Sequence, residues 1–178
     1  MIVGFFGIAG VGKTTLSHMV IKRLPDFKAY SASQLIKRSD GEVRYDKLSS
    51  INIKSNQSKL IACANELKLE FPFSSFILEL HNVIETDSGD IFILEFVFES
   101  IHIDNAFFIF KNPIDIYRQR ILDSKQRAAK SVEEINVLQN KSLMYFEHLF
   151  PKEIRIKLDV NGSSPDEVAN MVYHNIKN

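Results

Sequence analysis

The 178-residue chain sets 22 Lys and Arg against 22 Asp and Glu, is 45% hydrophobic, and holds 14 Phe and a single cysteine, Cys63. A formal charge of zero gives no global field for nucleic acid or an anionic membrane, and one thiol excludes an internal disulfide framework. The length suits one domain, residues 1–178, and no apolar run approaches the roughly 18 residues of a membrane span, so a cytoplasmic protein with small partners is expected.

Ile2-Val3-Gly4-Phe5-Phe6 is a continuous apolar run of the kind a buried parallel strand makes. It leads into Gly7-Ile8-Ala9-Gly10-Val11-Gly12-Lys13-Thr14-Thr15, where Gly7 and Gly12 bracket four residues ahead of Lys13-Thr14 and complete G-x-x-x-x-G-K-[ST]. A helix-compatible stretch follows, so the loop sits between strand and helix, and with Gly7 so near the first residue no signal peptide is expected. Glycines let backbone N–H groups turn inward around a polyphosphate, and the helix beginning near Lys13 adds its positive dipole end. Gly7, Ala9, Gly10, Val11, Gly12, Lys13, Thr14 and Thr15 are therefore the expected ATP contacts. Lys13 should reach the terminal phosphates, and the Thr14 hydroxyl should ligate Mg²⁺.

Residues 27–30 form a short strand candidate, and 55–69 a helix with Cys63 on its apolar, core-facing side. In this stretch Ser31, Ser33 and Arg44 suit phosphate binding and Asn56-Gln57 the reading of a base edge; equally, the serines suit a helix cap and Asn56-Gln57 the start of a helix. Residues 75–78 read as a buried strand running into Glu79 and His81. The apolar stretches 83–86 and 91–94 flank Asp87-Ser88-Gly89-Asp90, which predicts a hairpin. Another buried strand is expected at 106–110, and Asn112-Pro113 supplies a cap and first-turn proline for the next helix. Arg118, Arg120, Lys125, Arg127 and Lys130 then place five cations against Asp123, a basic connection over 120–131 that suits either a phosphate-covering lid or a solvated face. Ser131 to Glu134 is a capping box, residues 154–158 alternate like an edge strand, and Ser164-Pro165-Asp166-Glu167 opens a last helix. The alternation predicts an α/β fold, a parallel sheet with helices on both faces. Phe residues are expected in the core. No Cys/His metal spacing or Gly-x-Ser-x-Gly elbow is present.

Four stretches together resemble the nucleoside monophosphate kinases, most of all the archaeal-type adenylate kinases and their small nuclear relatives, all P-loop NTPases. Gly7 to Thr15 is similar to the family's GxPGxGKTT, with Ala9 in place of proline. Phe76 to His81 resembles its strand ending in Asp-x-His, with Glu79 for Asp. Phe110 to Arg120 resembles its strand, Asp-Pro and arginine-bearing helix. Lys125-Gln126-Arg127, with Ser131 to Ile135 and Gln139, resembles its lid and following helix, although Ala128 stands where an acid commonly follows. The resemblance implies a three-layer P-loop fold with a short lid and a small hairpin insertion, Mg²⁺ served by Thr14 and Glu79, and charge neutralisation by Lys13, Arg118, Arg120 and Arg127. It also implies a monophosphate-binding segment over 28–69 and transfer from ATP to AMP. The alternatives are a kinase of another small molecule or nucleic-acid end, and an NTP-binding module with slow ATPase activity.

Overall fold

The computed structural model describes residues 1–40, 50–86, 89–123 and 130–177. Five strands form one parallel sheet: β1 (Ile2–Phe6), β2 (Phe27–Ser31), β3 (Ser75–Glu79), β6 (Asn105–Phe110) and β7 (Arg155–Asp159), in the order β2-β3-β1-β6-β7. The residue alternation of β1 explains why the sheet must be covered twice. Ile2 and Phe6 enter one apolar cluster with Phe76, Leu78 and Phe108, whereas Val3 and Phe5 enter a second with Ile77, Phe107 and Ile109. Helices α3 (Ser50–Glu70) and α4 (Glu95–Ile101) cover the first face; α1 (Lys13–Ile21), α5 (Pro113–Leu122) and α7 (Pro165–Lys177) contribute to the second. The long α6 (Val132–Leu149) serves both, through Phe146 on one side and Ile135 and Leu138 on the other.

Gly4 makes the first cluster possible. A Cβ there would stand 2.6 Å from the Phe6 ring, and that ring packs against Phe98, Phe146 and Phe150 at centroid distances of 5.0 to 5.4 Å. Cys63 is buried in the same cluster, as expected. Phe73 corrects the expectation for the Phe residues: it follows Pro72 in the turn between α3 and β3 and is 99% exposed, and Phe92 and Phe96 are also partly open. A run of aromatics across a turn cannot direct every ring inward.

The local signals hold. Asn112 caps α5 by accepting from the Ile114 N–H at 3.2 Å. Ser131 and Glu134 form the reciprocal capping box of α6, and Ser164 and Glu167 exchange the same bonds at α7. The chain also contains α2 (Ala32–Asp40) and a hairpin of β4 (Val83–Thr86) and β5 (Gly89–Phe92) outside the main sheet; Asp87 and Ser88 of its expected turn lie outside the described residues. The hairpin's base is fixed by buried polar bonds. Asn82 donates to the Ser142 carbonyl at 2.7 Å and accepts from the Ser142 hydroxyl at 2.6 Å, while the Tyr145 hydroxyl donates to the Ile93 carbonyl at 2.7 Å. Among the described residues no helix is long and apolar enough to cross a membrane.

Candidate active site

In-register pairing brings the carboxyl ends of three strands side by side, with Ser31 of β2 beside Glu79 of β3 and Glu79 beside Phe5 of β1. From β1 the chain crosses to β2 at one edge, returns to β3 between them, and passes to β6 only on the other side of β1, so the strand order reverses beside β1, and ligands of open parallel sheets bind outside such a point. The loop after β1 occupies it. Gly7, Gly10 and Gly12 have φ of 138°, 85° and 102°, values that L side chains rarely adopt. A Cβ on Gly7 would also meet the Ile109 carbonyl at 3.0 Å. Gly12 caps α1 without a side-chain hydrogen bond, which leaves the first-turn N–H groups to an outside acceptor.

Lys13 is buried, and its Nζ donates to the Gly7 carbonyl at 2.6 Å and to the Ile8 carbonyl at 3.2 Å. The ammonium therefore lies against the loop from which it arises. The Thr14 hydroxyl donates to Glu79 Oε2 at 2.6 Å, joining the first turn of α1 to the end of β3. A hydroxyl and a carboxylate are hard oxygen donors of the kind Mg²⁺ prefers, so the residues fit a phosphate-borne magnesium ion. Among the described residues no group of three or more His, Cys, Asp or Glu could hold a metal by itself. Val11 is buried in the second core cluster, while Thr14 and Thr15 are exposed at the start of α1.

The two arginines of α5 part company. Arg120 is only 8% exposed; its Nε donates to the Ala9 carbonyl at 2.9 Å, and its Nη1 and Nη2 grip both oxygens of Glu85 at 3.0 and 2.7 Å. Arg118 pairs with Asp115 at 3.3 Å and is 70% exposed. Positions i and i+2 of a helix point about 200° apart, so the structure brings Arg120 to the loop and not Arg118. Arg127, Lys125 and Ala128 lie outside the described residues, as do Arg44 and the centre of the expected 120–131 lid.

On the opposite side of the sheet's carboxyl edge, Ser31 and Gln34 cap α2 reciprocally: the Ser31 N–H donates to Gln34 Oε1 at 2.7 Å and the Gln34 N–H to Ser31 Oγ at 3.2 Å. The serines thus serve the backbone first, with Ser33 Oγ 3.0 Å from Ser31 Oγ. Gln57 differs. It is 6% exposed on α3, and among the described residues no hydrogen bond meets its amide. Its spacing from Ile53, Leu60 and Ala64 puts it on the core-facing side of the helix. His81 is half-buried just beyond β3. Gln139, part of the resemblance, braces the exit of β6, where its amide accepts from the Lys111 N–H at 3.1 Å and donates to the Lys111 carbonyl at 2.8 Å.

Sequence reasoning missed Glu85, although a signal was there. It stands two residues after buried Val83 on β4 and so shares its face, and an acid on the inward side of a strand needs a cation. Arg120 likewise stands four residues after buried Ile116 on α5, the phase that distinguishes it from Arg118.

Comparison with curated protein sequences finds no significant match. Solved structures of similar fold include shikimate kinase from Bacteroides thetaiotaomicron, at 11% identity and TM-score 0.67 over 100% of this chain and 99% of that one. Thymidylate kinase from Candida albicans is similar at 14% identity and TM-score 0.63, over 99% and 90%. Deoxyadenosine kinase from M. mycoides, solved with bound dATP, is similar at 11% identity and TM-score 0.64, over 100% of both chains. Residues 6–136, well over half of the chain, match the family described as AAA domain. With the glycine loop, Lys13 and Thr14 in place on a five-stranded parallel sheet, the chain belongs to the AAA domain family and has the fold of a P-loop kinase.

Proposed function

We propose that the protein transfers the γ-phosphoryl group of Mg²⁺-ATP to a small acceptor, and that the acceptor is a nucleoside monophosphate, with AMP the first to test. The observation that carries this reading is the 2.6 Å bond from the Thr14 hydroxyl to Glu79, which sets two hard donors beside a lysine-bearing phosphate loop. Magnesium, when bound, would neutralise charge on the phosphate oxygens. Thr14 and Glu79 would hold it directly or through water, while Lys13 supplies a cation from within the loop and Arg120 another at the loop's rim. Such transfers are catalysed mainly by positioning and electrostatic stabilisation. Arg127 is assigned to the same charge by its place in the sequence alone; the placement of Arg118 gives it no support. Gln57 favours a nucleotide acceptor, because a buried amide without a partner among the described residues matches the paired donor and acceptor on a base edge.

The test is product detection with ATP and a panel of AMP, dAMP, CMP, dTMP and shikimate. ADP formed from ATP and AMP, with weaker use of another monophosphate, supports the reading. Phosphorylation of shikimate alone would transfer it to another small-molecule kinase. ATP hydrolysis unaffected by every acceptor would indicate an NTP-binding module with slow turnover.

A further inference from the structure

The β4–β5 hairpin is not part of the main sheet, yet it reaches the phosphate loop through Glu85 and its partner Arg120. Glu85 and Asp90 face each other across it, and like charges at such positions repel. Each is met by a cation from a different helix, Glu85 by Arg120 of α5 and Asp90 by Lys141 of α6 at 3.4 Å. The first pair is the stronger, being two-pronged and largely shielded from solvent. Arg120 has a third bond, from Nε to the Ala9 carbonyl, so the order of contact is hairpin, guanidinium, loop backbone. In a planar trans peptide the carbonyl and the following N–H point in opposite directions. A guanidinium held on the Ala9 oxygen therefore also fixes the direction of the Gly10 N–H.

We propose that Glu85 is a positioning residue for the donor nucleotide: by gripping Arg120 on the Ala9 carbonyl, it sets the shape of the phosphate loop. Without the carboxylate, Arg120 is a nearly buried cation that has lost its charged partner, and such a group moves toward solvent. The Ala9–Gly10 peptide then loses its external restraint and must be ordered at the expense of nucleotide binding. The inference rests on the loop binding a nucleoside triphosphate, as proposed above, but not on which acceptor is used.

Calorimetric titration of Mg²⁺-ATP into the full chain tests it without any acceptor. Glu85→Ala should weaken ATP binding about tenfold, and Glu85→Gln, which keeps one neutral acceptor, should fall between it and wild type. In an Arg120→Ala background, Glu85→Ala should produce no further loss, because its effect passes through Arg120. Where an acceptor is turned over, KM for ATP should rise while KM for the acceptor stays within about twofold. ATP affinity within about twofold of wild type in folded Glu85→Ala overturns the proposal, as does an undiminished effect in the Arg120→Ala background. If Glu85→Ala does not fold, Glu85→Gln decides by the same measurement. Wild-type protein that binds ATP but phosphorylates nothing counts against the kinase reading alone; failure to bind ATP overturns both.

Discussion

Thr14 and Glu79 lie 65 positions apart in sequence and share a 2.6 Å hydrogen bond between helix α1 and strand β3. If this pair serves magnesium, Glu79→Gln should lower turnover at least about 10²-fold and move half-maximal activity to higher Mg²⁺, since the amide keeps the shape and loses the charge. Glu79→Asp should remain within about tenfold, the carboxylate being shifted by one methylene. A Mg²⁺ titration of initial rates checks both, and an unchanged curve for Glu79→Gln removes the residue from the metal's environment.

Lys13→Ala should cost at least about 10²-fold in turnover while the protein stays folded, because it removes a cation aimed at charge that builds during transfer. It also leaves the Gly7 and Ile8 carbonyls without their donor, so the melting temperature should fall by a few degrees, roughly 2–4 °C per kcal/mol at this size. Wild-type turnover in the folded variant would end the kinase reading.

Gln57→Leu should separate stability from recognition. Replacing a buried amide that has no partner among the described residues with an apolar side chain removes a penalty of about 1–3 kcal/mol, so the variant should melt higher than wild type. KM for the monophosphate should rise about tenfold and discrimination among bases should weaken, while KM for ATP stays constant. A lower melting temperature with unchanged acceptor KM would mean that Gln57 has a structural partner instead.

The loop and the helix caps were legible in the sequence because their chemistry is local: Gly7 to Thr14, Asn112-Pro113 and the Ser131 box each act within a few residues. The apolar runs of β1, β3 and β6 were legible for a related reason, since burial on both faces needs no particular partner. The Glu85–Arg120 pair is of another kind. It depends on a hairpin folding back on a helix 35 positions away, and only the phases of β4 and α5 hint at it. The long-range bonds of Asn82 and Gln139 to α6 and Lys111 were hidden for the same reason. Phe73 shows the converse limit, because composition cannot tell which ring of a turn faces outward.

Gly4→Ala should destabilise the fold by about 1–3 kcal/mol, because the added methyl forces the Phe6 ring out of its place among Phe98, Phe146 and Phe150. Chemical denaturation with an unchanged slope and a lower midpoint is the expected result. An unchanged midpoint would show that the aromatic cluster yields at no cost.

Acid stability should report the α7 cap. Glu167 accepts from the Ser164 N–H and hydroxyl, and these bonds hold its carboxyl below the ordinary glutamate range. The native state thus favours the charged form, so this contribution is present above about pH 4.3 and is lost as pH falls through the lower folded-state value. Glu167→Gln should melt below wild type at neutral pH, with the gap closing under acid conditions, where the native carboxyl is neutral as well. Equal gaps at neutral and strongly acid pH would contradict the assignment.

The side-chain-free cap at Gly12 gives α1 a dependence on its surroundings that the capped helices α5 and α6 lack. Their first turns are secured by the polypeptide; that of α1 would gain further stabilisation from a bound anion. Were the loop to hold a nucleotide as proposed, mass action would tie the fold's resistance to heat to that ligand's concentration, by about 2.7 kcal/mol at a hundredfold excess over the dissociation constant. Such a chain would withstand heat and proteolysis best with its ligand bound, before any catalysis is considered.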